Sequence, residues 1–159
     1  MKKTILIVED NKELSEMFKI KFEKWWFNVF ISDNWFDSLW LAIEKEPDLI
    51  LLDIMMPDMD WFETLKVLKE QTSLKTKIFI FSNLKSDDHI KKAKKLWADD
   101  YLVKADYTPK EVLDKVILSI WPADDKKSIF CSDADKTFVS QCPHCWEKFK
   151  LDIKISKDE

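Results

Sequence analysis

The sequence contains no glycine. Average usage near 7% would place about 11 in a chain of 159 residues. Every turn that favours a positive φ is therefore left to a residue carrying a Cβ. Arginine is absent too, so all 26 basic residues are lysine. Cysteine is scarce: the three present, Cys131, Cys142 and Cys145, all lie late in the chain, which excludes a disulfide framework and points to a local metal or redox feature. No apolar run approaches the length of a membrane span. The run Thr4-Ile5-Leu6-Ile7-Val8 behind two lysines stops at Glu9-Asp10, too early for the core of a signal peptide. The expectation is a cytoplasmic protein with no membrane partner. The net charge of -4 argues against a nucleic-acid partner held by bulk charge.

Against these absences stands an apolar content of 46%, ample for a packed core. The order of apolar runs is regular. Thr4–Val8, Asn28–Ile31, Leu49–Asp53, Lys77–Phe81 and Tyr101–Val103 read as strands. Between and after them, Lys12–Trp25, Trp35–Lys45, Met59–Gln71, Ser86–Trp97 and Thr108–Ile120 read as helices. Leu14, Met17, Phe18, Phe22 and Trp25 form the apolar face of the first helix, and Phe62, Leu65 and Leu68 that of the third. Ser86 is a candidate cap, with Asp87 and Asp88 in the favourable first turn, and Thr108-Pro109 opens the last helix. Five β-α units in alternation predict an α/β fold, a doubly wound five-stranded parallel sheet with helices on both faces.

Parallel strands bring their C-terminal ends to one edge, where open α/β sheets bind ligands. Four strands deliver polar chemistry there: Glu9 and Asp10, Asp53, Ser82, and Lys104. Each has an ordinary alternative as a helix cap, a turn acid, a loop hydroxyl or a surface charge. Taken together, three carboxylates converging on one edge repel one another and call for a cation. Oxygen ligands around an open position suit Mg²⁺. A carboxylate beside such an ion can act as a nucleophile toward phosphorus, and an ammonium can neutralise the transferred group.

The runs Ile5-Leu6-Ile7-Val8-Glu9-Asp10-Asn11, Pro47-Asp48-Leu49-Ile50-Leu51-Leu52-Asp53-Ile54-Met55-Met56-Pro57, Phe79-Ile80-Phe81-Ser82 and Ala98-Asp99-Asp100-Tyr101-Leu102-Val103-Lys104 complete the pattern. With them, residues 1–121 resemble the receiver domain of bacterial two-component response regulators. The resemblance implies a flavodoxin-like (β/α)5 fold and a phosphoacceptor switch that is not a metabolic enzyme. It implies that Asp53 accepts phosphate from a sensor histidine kinase or phosphotransfer protein. Asp10, Asp53 and the main-chain carbonyl of Met55 would ligate Mg²⁺, with Glu9 acting through water. Ser82 and Lys104 would contact the phosphate, and Ser82 and Tyr101 would form a switch pair, Tyr101 turning inward as Ser82 moves to the phosphate. The responding face, helix 86–97, strand 101–103 and helix 108–120, would bind a downstream protein or a second phosphorylated copy. The family has proline after the lysine, in a cis peptide. Here Ala105 stands there, where a cis bond is costly, so this loop is expected to differ.

Two features remain. Tryptophan occurs eight times. Trp26, Trp35, Trp61, Trp97 and Trp146 stand where related motifs carry glycine, several at turns where a positive φ would strain a tryptophan. Second, residues 122–127 read as a linker and 128–159 as a small β or zinc-ribbon-like appendage. Cys142-Pro143-His144-Cys145 resembles half of such a ribbon, but Ala134 replaces the cysteine that would pair with Cys131. Cys131, Cys142 and Cys145 are candidate Zn²⁺ ligands, one short of a tetrahedral set. A zinc-ribbon adaptor for nucleic acid or protein is the alternative role for this part.

Overall fold

The computed structural model describes residues 2–57, 60–71 and 75–121. Strands β1 (Thr4–Val8), β2 (Asn28–Ser32), β3 (Leu49–Leu52), β4 (Lys77–Ser82) and β5 (Asp100–Val103) alternate with helices α1 (Lys12–Lys24), α2 (Trp35–Lys45), α3 (Trp61–Gln71), α4 (Asp87–Lys95) and α5 (Pro109–Ile120). All pairings are parallel, in the order β2-β1-β3-β4-β5. The expected flavodoxin-like architecture is present. The linker 122–127 and the segment carrying Cys131, Cys142 and Cys145 lie outside the described residues, as does Met59, the expected start of α3.

The strands are continuous apolar runs because helices cover both faces of the sheet. Leu49, Ile50, Leu51 and Leu52 are all buried in the central strand. Each such side chain contributes roughly 1.5–3 kcal/mol by leaving water. No described helix is long and apolar enough to cross a membrane.

The helices correct the expected faces in places. In α1 the buried stripe is Ser15, Phe18 and Phe22, while Met17 and Trp25 are exposed. Apolar residues occupy two stripes of this helix, and spacing alone does not say which faces the sheet. In α3, Thr64, Leu65 and Leu68 are buried, and Phe62 sits at the margin with its ring centroid 4.2 Å from that of Trp61. Ser86 occupies the N-cap of α4, but its side chain makes no capping bond. Thr108 does cap α5: Glu111 N–H donates to its hydroxyl, and the Glu111 carboxylate accepts from Thr108 N–H and Oγ1–H, each at 2.7 Å.

The N-terminal edge of the sheet is fastened by one device used twice. Asp48 N–H donates to Thr4 O, and the Asp48 carboxylate accepts from Thr4 N–H at 2.8 Å and from Lys3 Nζ at 2.7 Å. Asp99 N–H donates to Ile78 O, and its carboxylate accepts from Ile78 N–H, Lys77 Nζ and Lys69 Nζ, each at 2.9 Å. Burial pushes the Asp99 carboxyl upward, but the bonds from Lys77, Ile78 and Lys69 outweigh it and hold the group below its ordinary value. A depressed acid stabilises the fold above its unfolded pKa, and that contribution is lost as pH falls through the folded value. Asp99→Asn is expected to lower stability by about 1 kcal/mol at pH 7, discounted because the pair with Lys77 is half in water. Urea midpoints check this. The deficit should shrink as the pH falls through the acid range, and equal midpoints at pH 7 would show that the clamp contributes nothing.

Candidate functional site

The strand order sets β1 beside β3, and backbone bonds carry the ladder one residue past each strand. Glu9 N–H donates to Ser32 O at 3.0 Å, and Asp53 N–H to Val8 O at 2.9 Å. Glu9 and Asp53 therefore leave the sheet side by side, both buried. The following helix is capped by Asn11, whose side-chain oxygen accepts from Leu14 N–H at 3.1 Å. Asp10 is thus not consumed as a cap. Exposed at the rim, its carboxylate has no hydrogen-bond or ion-pair partner among the described residues. Oxygens of Glu9, Asp10 and Asp53 lie within 4.8 Å of one another.

Lys104 crosses from the end of β5 to this cluster. Its Nζ donates to Glu9 Oε2 and Asp53 Oδ2, each at 2.6 Å, and sits 5.5 Å from the Phe81 ring centroid. Asp53 Oδ1 accepts from Met55 N–H at 2.8 Å. Burial raises the Glu9 carboxyl above its ordinary value, the bond from Lys104 opposes this, and the Asp53 charge adds to the rise. Burial would lower Lys104, but its bonds to Asp53 and Glu9 reverse the direction and raise it.

Three carboxylates and one ammonium leave a formal charge of -2 at neutral pH. Two like charges 4.8 Å apart repel by roughly 3 kcal/mol at an effective dielectric of 20. The donor set is oxygen only, one member is exposed, and the excess charge matches a divalent cation. These residues fit Mg²⁺.

Ser82 ends β4, fully buried, in register with Val103 beside Lys104. Among the described residues its Oγ accepts only a long bond from Leu84 N–H, at 3.5 Å. Tyr101 is only 8% exposed, and its phenol donates to Leu84 O at 2.8 Å. The Tyr101 side chain thus lies inward, held by a carbonyl of the loop after β4. Burial raises the phenol above its ordinary value, and the Asp53 charge adds to that.

Glu9, Asp10, Asp53 and Lys104 thus come together at one edge, while Ser82 and the Tyr101 phenol meet the loop after β4 at Leu84. Sequence reasoning missed the bond from Lys104 to Glu9, the role of Leu84 O, and the exposed pair Lys85–Asp106 at 2.8 Å, which ties the loop after β4 to the one after β5. Opposite charge was the sole signal for the first, and nothing marked Leu84. Where alanine follows the lysine, Lys104–Asp106 forms a single 3-10 turn, and none of the described peptide bonds is cis.

Comparison with known proteins gives a consistent family. A model described as the response regulator receiver domain matches residues 5–117. The chain is 35% identical over 100 residues to the transcriptional regulatory protein CusR of Escherichia coli, covering 63% of this chain and 44% of that protein. It is 29% identical over 116 residues to the alkaline phosphatase synthesis transcriptional regulatory protein PhoP of Bacillus subtilis, covering 73% and 48%. The BeF3-activated N-terminal receiver domain of Klebsiella pneumoniae RstA superposes with a TM-score of 0.69 at 25% identity, covering 76% of this chain and all of that one. The chain spans about half the length of the curated relatives it matches.

Proposed function

Because this chain belongs to the response regulator receiver domain family, a family of signalling switches, we propose that Asp53 accepts a phosphoryl group from a histidine kinase or phosphotransfer protein. The observation that carries this reading is the holding of Asp53. It is buried, with one oxygen fixed by Met55 N–H and the other by Lys104, beside Asp10, which has no partner among the described residues. An Asp53 oxygen attacks phosphorus, a new O–P bond forms, and the bond to the donor's leaving atom breaks, the leaving group taking its electron pair. Asp10, Asp53 and the Met55 carbonyl would hold Mg²⁺, with Glu9 acting through water, and the ion when bound offsets charge on the phosphoryl oxygens. Lys104 then turns from Asp53 to a phosphoryl oxygen, while its bond to Glu9 keeps the ammonium in place. The Ser82 hydroxyl, nearly uncommitted, donates to another.

Tyr101 reports the change through Leu84. Drawing Ser82 toward the phosphate shifts the loop whose carbonyl receives the phenol. The face of α4, β5 and α5 then favours a downstream protein or a second copy to the extent that the two states differ in free energy. At the other end of the chain, Cys131, Cys142 and Cys145 are proposed as Zn²⁺ ligands that need a fourth donor, and bound zinc in purified protein tests that set.

The test of the main reading is incubation with Mg²⁺ and acetyl phosphate, read by intact mass beside Asp53→Asn. One phosphate on the parent protein and none on the variant is expected. An adduct on both, or on neither when folded, would sink the assignment.

A further inference from the structure

Two of the three left-handed backbone positions among the described residues fall on tryptophan. Three described residues have a positive φ: Trp26 at 69°, Glu46 at 42° and Trp97 at 60°. Both tryptophans occupy the same place in the same motif. At the end of α1, Trp26 N–H donates to Glu23 O at 3.0 Å and Phe27 N–H to Phe22 O at 3.3 Å. At the end of α4, Trp97 N–H donates to Lys94 O at 3.1 Å and Ala98 N–H to Ala93 O at 3.0 Å. These paired bonds are the Schellman arrangement, in which the residue just past the cap must be left-handed and is usually glycine. Its apolar accompaniment is present in both: the Phe22 and Phe27 rings meet at 5.9 Å, and Ala93 and Ala98 are both buried.

A tryptophan gains little in return for this conformation. Trp26 is 51% exposed and Trp97 is 74% exposed. Lys2 Nζ lies 4.6 Å over the Trp26 ring, a cation–π contact of the weak, exposed class. Two bulky residues therefore stand, largely in water, where a Cβ is a liability. The whole sequence has eight tryptophans and no glycine.

We infer that positions 26 and 97 are glycine in the protein as its source cell makes it. They, with the other tryptophan positions, would be UGA codons that the cell decodes as glycine. The codon UGA has no single meaning across genetic codes, so one reassignment accounts for both the surplus and the absence. It accounts also for the backbone, which is folded as a glycine chain would fold.

The gene and the native protein test this together. The expected result is UGA at all eight tryptophan codons, and peptides from source cells whose masses carry glycine at 26 and 97. A UGG codon at either position, or a native peptide with tryptophan there, overturns it. A second measurement is independent of the source. In recombinant protein, Trp26→Gly and Trp97→Gly should each raise the folding equilibrium constant about 5- to 30-fold, the size of the left-handed penalty for a residue with a Cβ. Trp40→Gly, inside α2, should lower it. Losses at positions 26 and 97 would overturn the argument from strain.

Discussion

Lys104→Met is expected to cost about 3 kcal/mol of stability at neutral pH, the low end of what removing one partner from a buried ion pair costs. The lysine is the shared counter-ion of Glu9 and Asp53, and all three side chains are nearly buried. Methionine keeps much of the packing against Phe81 but leaves two carboxylates facing each other. The variant has one escape, which is to bind a proton. Glu9 is already raised by burial, and loss of the ammonium raises it further. An acid whose folded pKa exceeds its unfolded one binds more protons when folded, so stability falls as pH rises from the unfolded toward the folded value. The deficit should therefore be full above the raised Glu9 pKa and shrink as the pH drops below it. The native Lys104 contributes below its unfolded pKa and is lost only as pH rises through its own raised value. Urea unfolding at several pH values checks both limbs, and adding Glu9→Gln should return part of the loss. A deficit under about 1 kcal/mol, flat with pH, would mean that the ion pair is screened and holds nothing.

Asp10→Asn should act in the opposite direction without metal. Asp10 contributes repulsion toward Glu9 and Asp53 and has no described partner to offset it. Removing its charge is expected to stabilise the protein by about 1 kcal/mol, well below the nominal pair repulsion because Asp10 is exposed. With Mg²⁺ the order should reverse. At an ion concentration a hundredfold above the dissociation constant, the parent gains about 2.7 kcal/mol by mass action. The variant, one ligand poorer, should gain little. Thermal unfolding with and without Mg²⁺ makes the comparison. If both proteins respond equally to the ion, Asp10 is not a ligand.

The fold was legible because each strand is a short apolar run ending in a polar residue, and a helix follows each such run. Leu49–Leu52 is the clearest case: four consecutive aliphatics, too few for a helix and bounded by Pro47-Asp48 and Asp53, suit a short strand covered on both faces. Strand order is not written locally. The placing of β3 between β1 and β4 follows from long-range pairing, and only the right-handed crossover limits the choices. The site was legible for the same topological reason, since parallel strands bring Asp53, Glu9, Ser82 and Lys104 to one edge however the strands are ordered. Pairings within it were not. Lys104 could be assigned to a phosphate from the sequence, but its bond to Glu9 depends on side-chain reach across the middle of the sheet. Tyr101 shows a similar limit: a buried phenol must find an acceptor, and the one it found is a main-chain carbonyl, which leaves no trace in residue identity. In α1, Met17 and Ser15 exchanged expected places because helical spacing gives the width of a stripe and not its phase.

Aspartate appears at both ends of this sheet in opposite employment. Asp48 and Asp99 each have an amide and at least one lysine already seated on their oxygens. A metal ion arriving there would have to evict those donors before it could coordinate. At the far edge Asp10 has no donor to evict among the described residues. The address of a divalent ion is thereby decided by prior occupation of lone pairs, with no difference in residue type or local charge sign required. A luminescent lanthanide titrated into the protein would be expected to light one end of the sheet and leave the other dark.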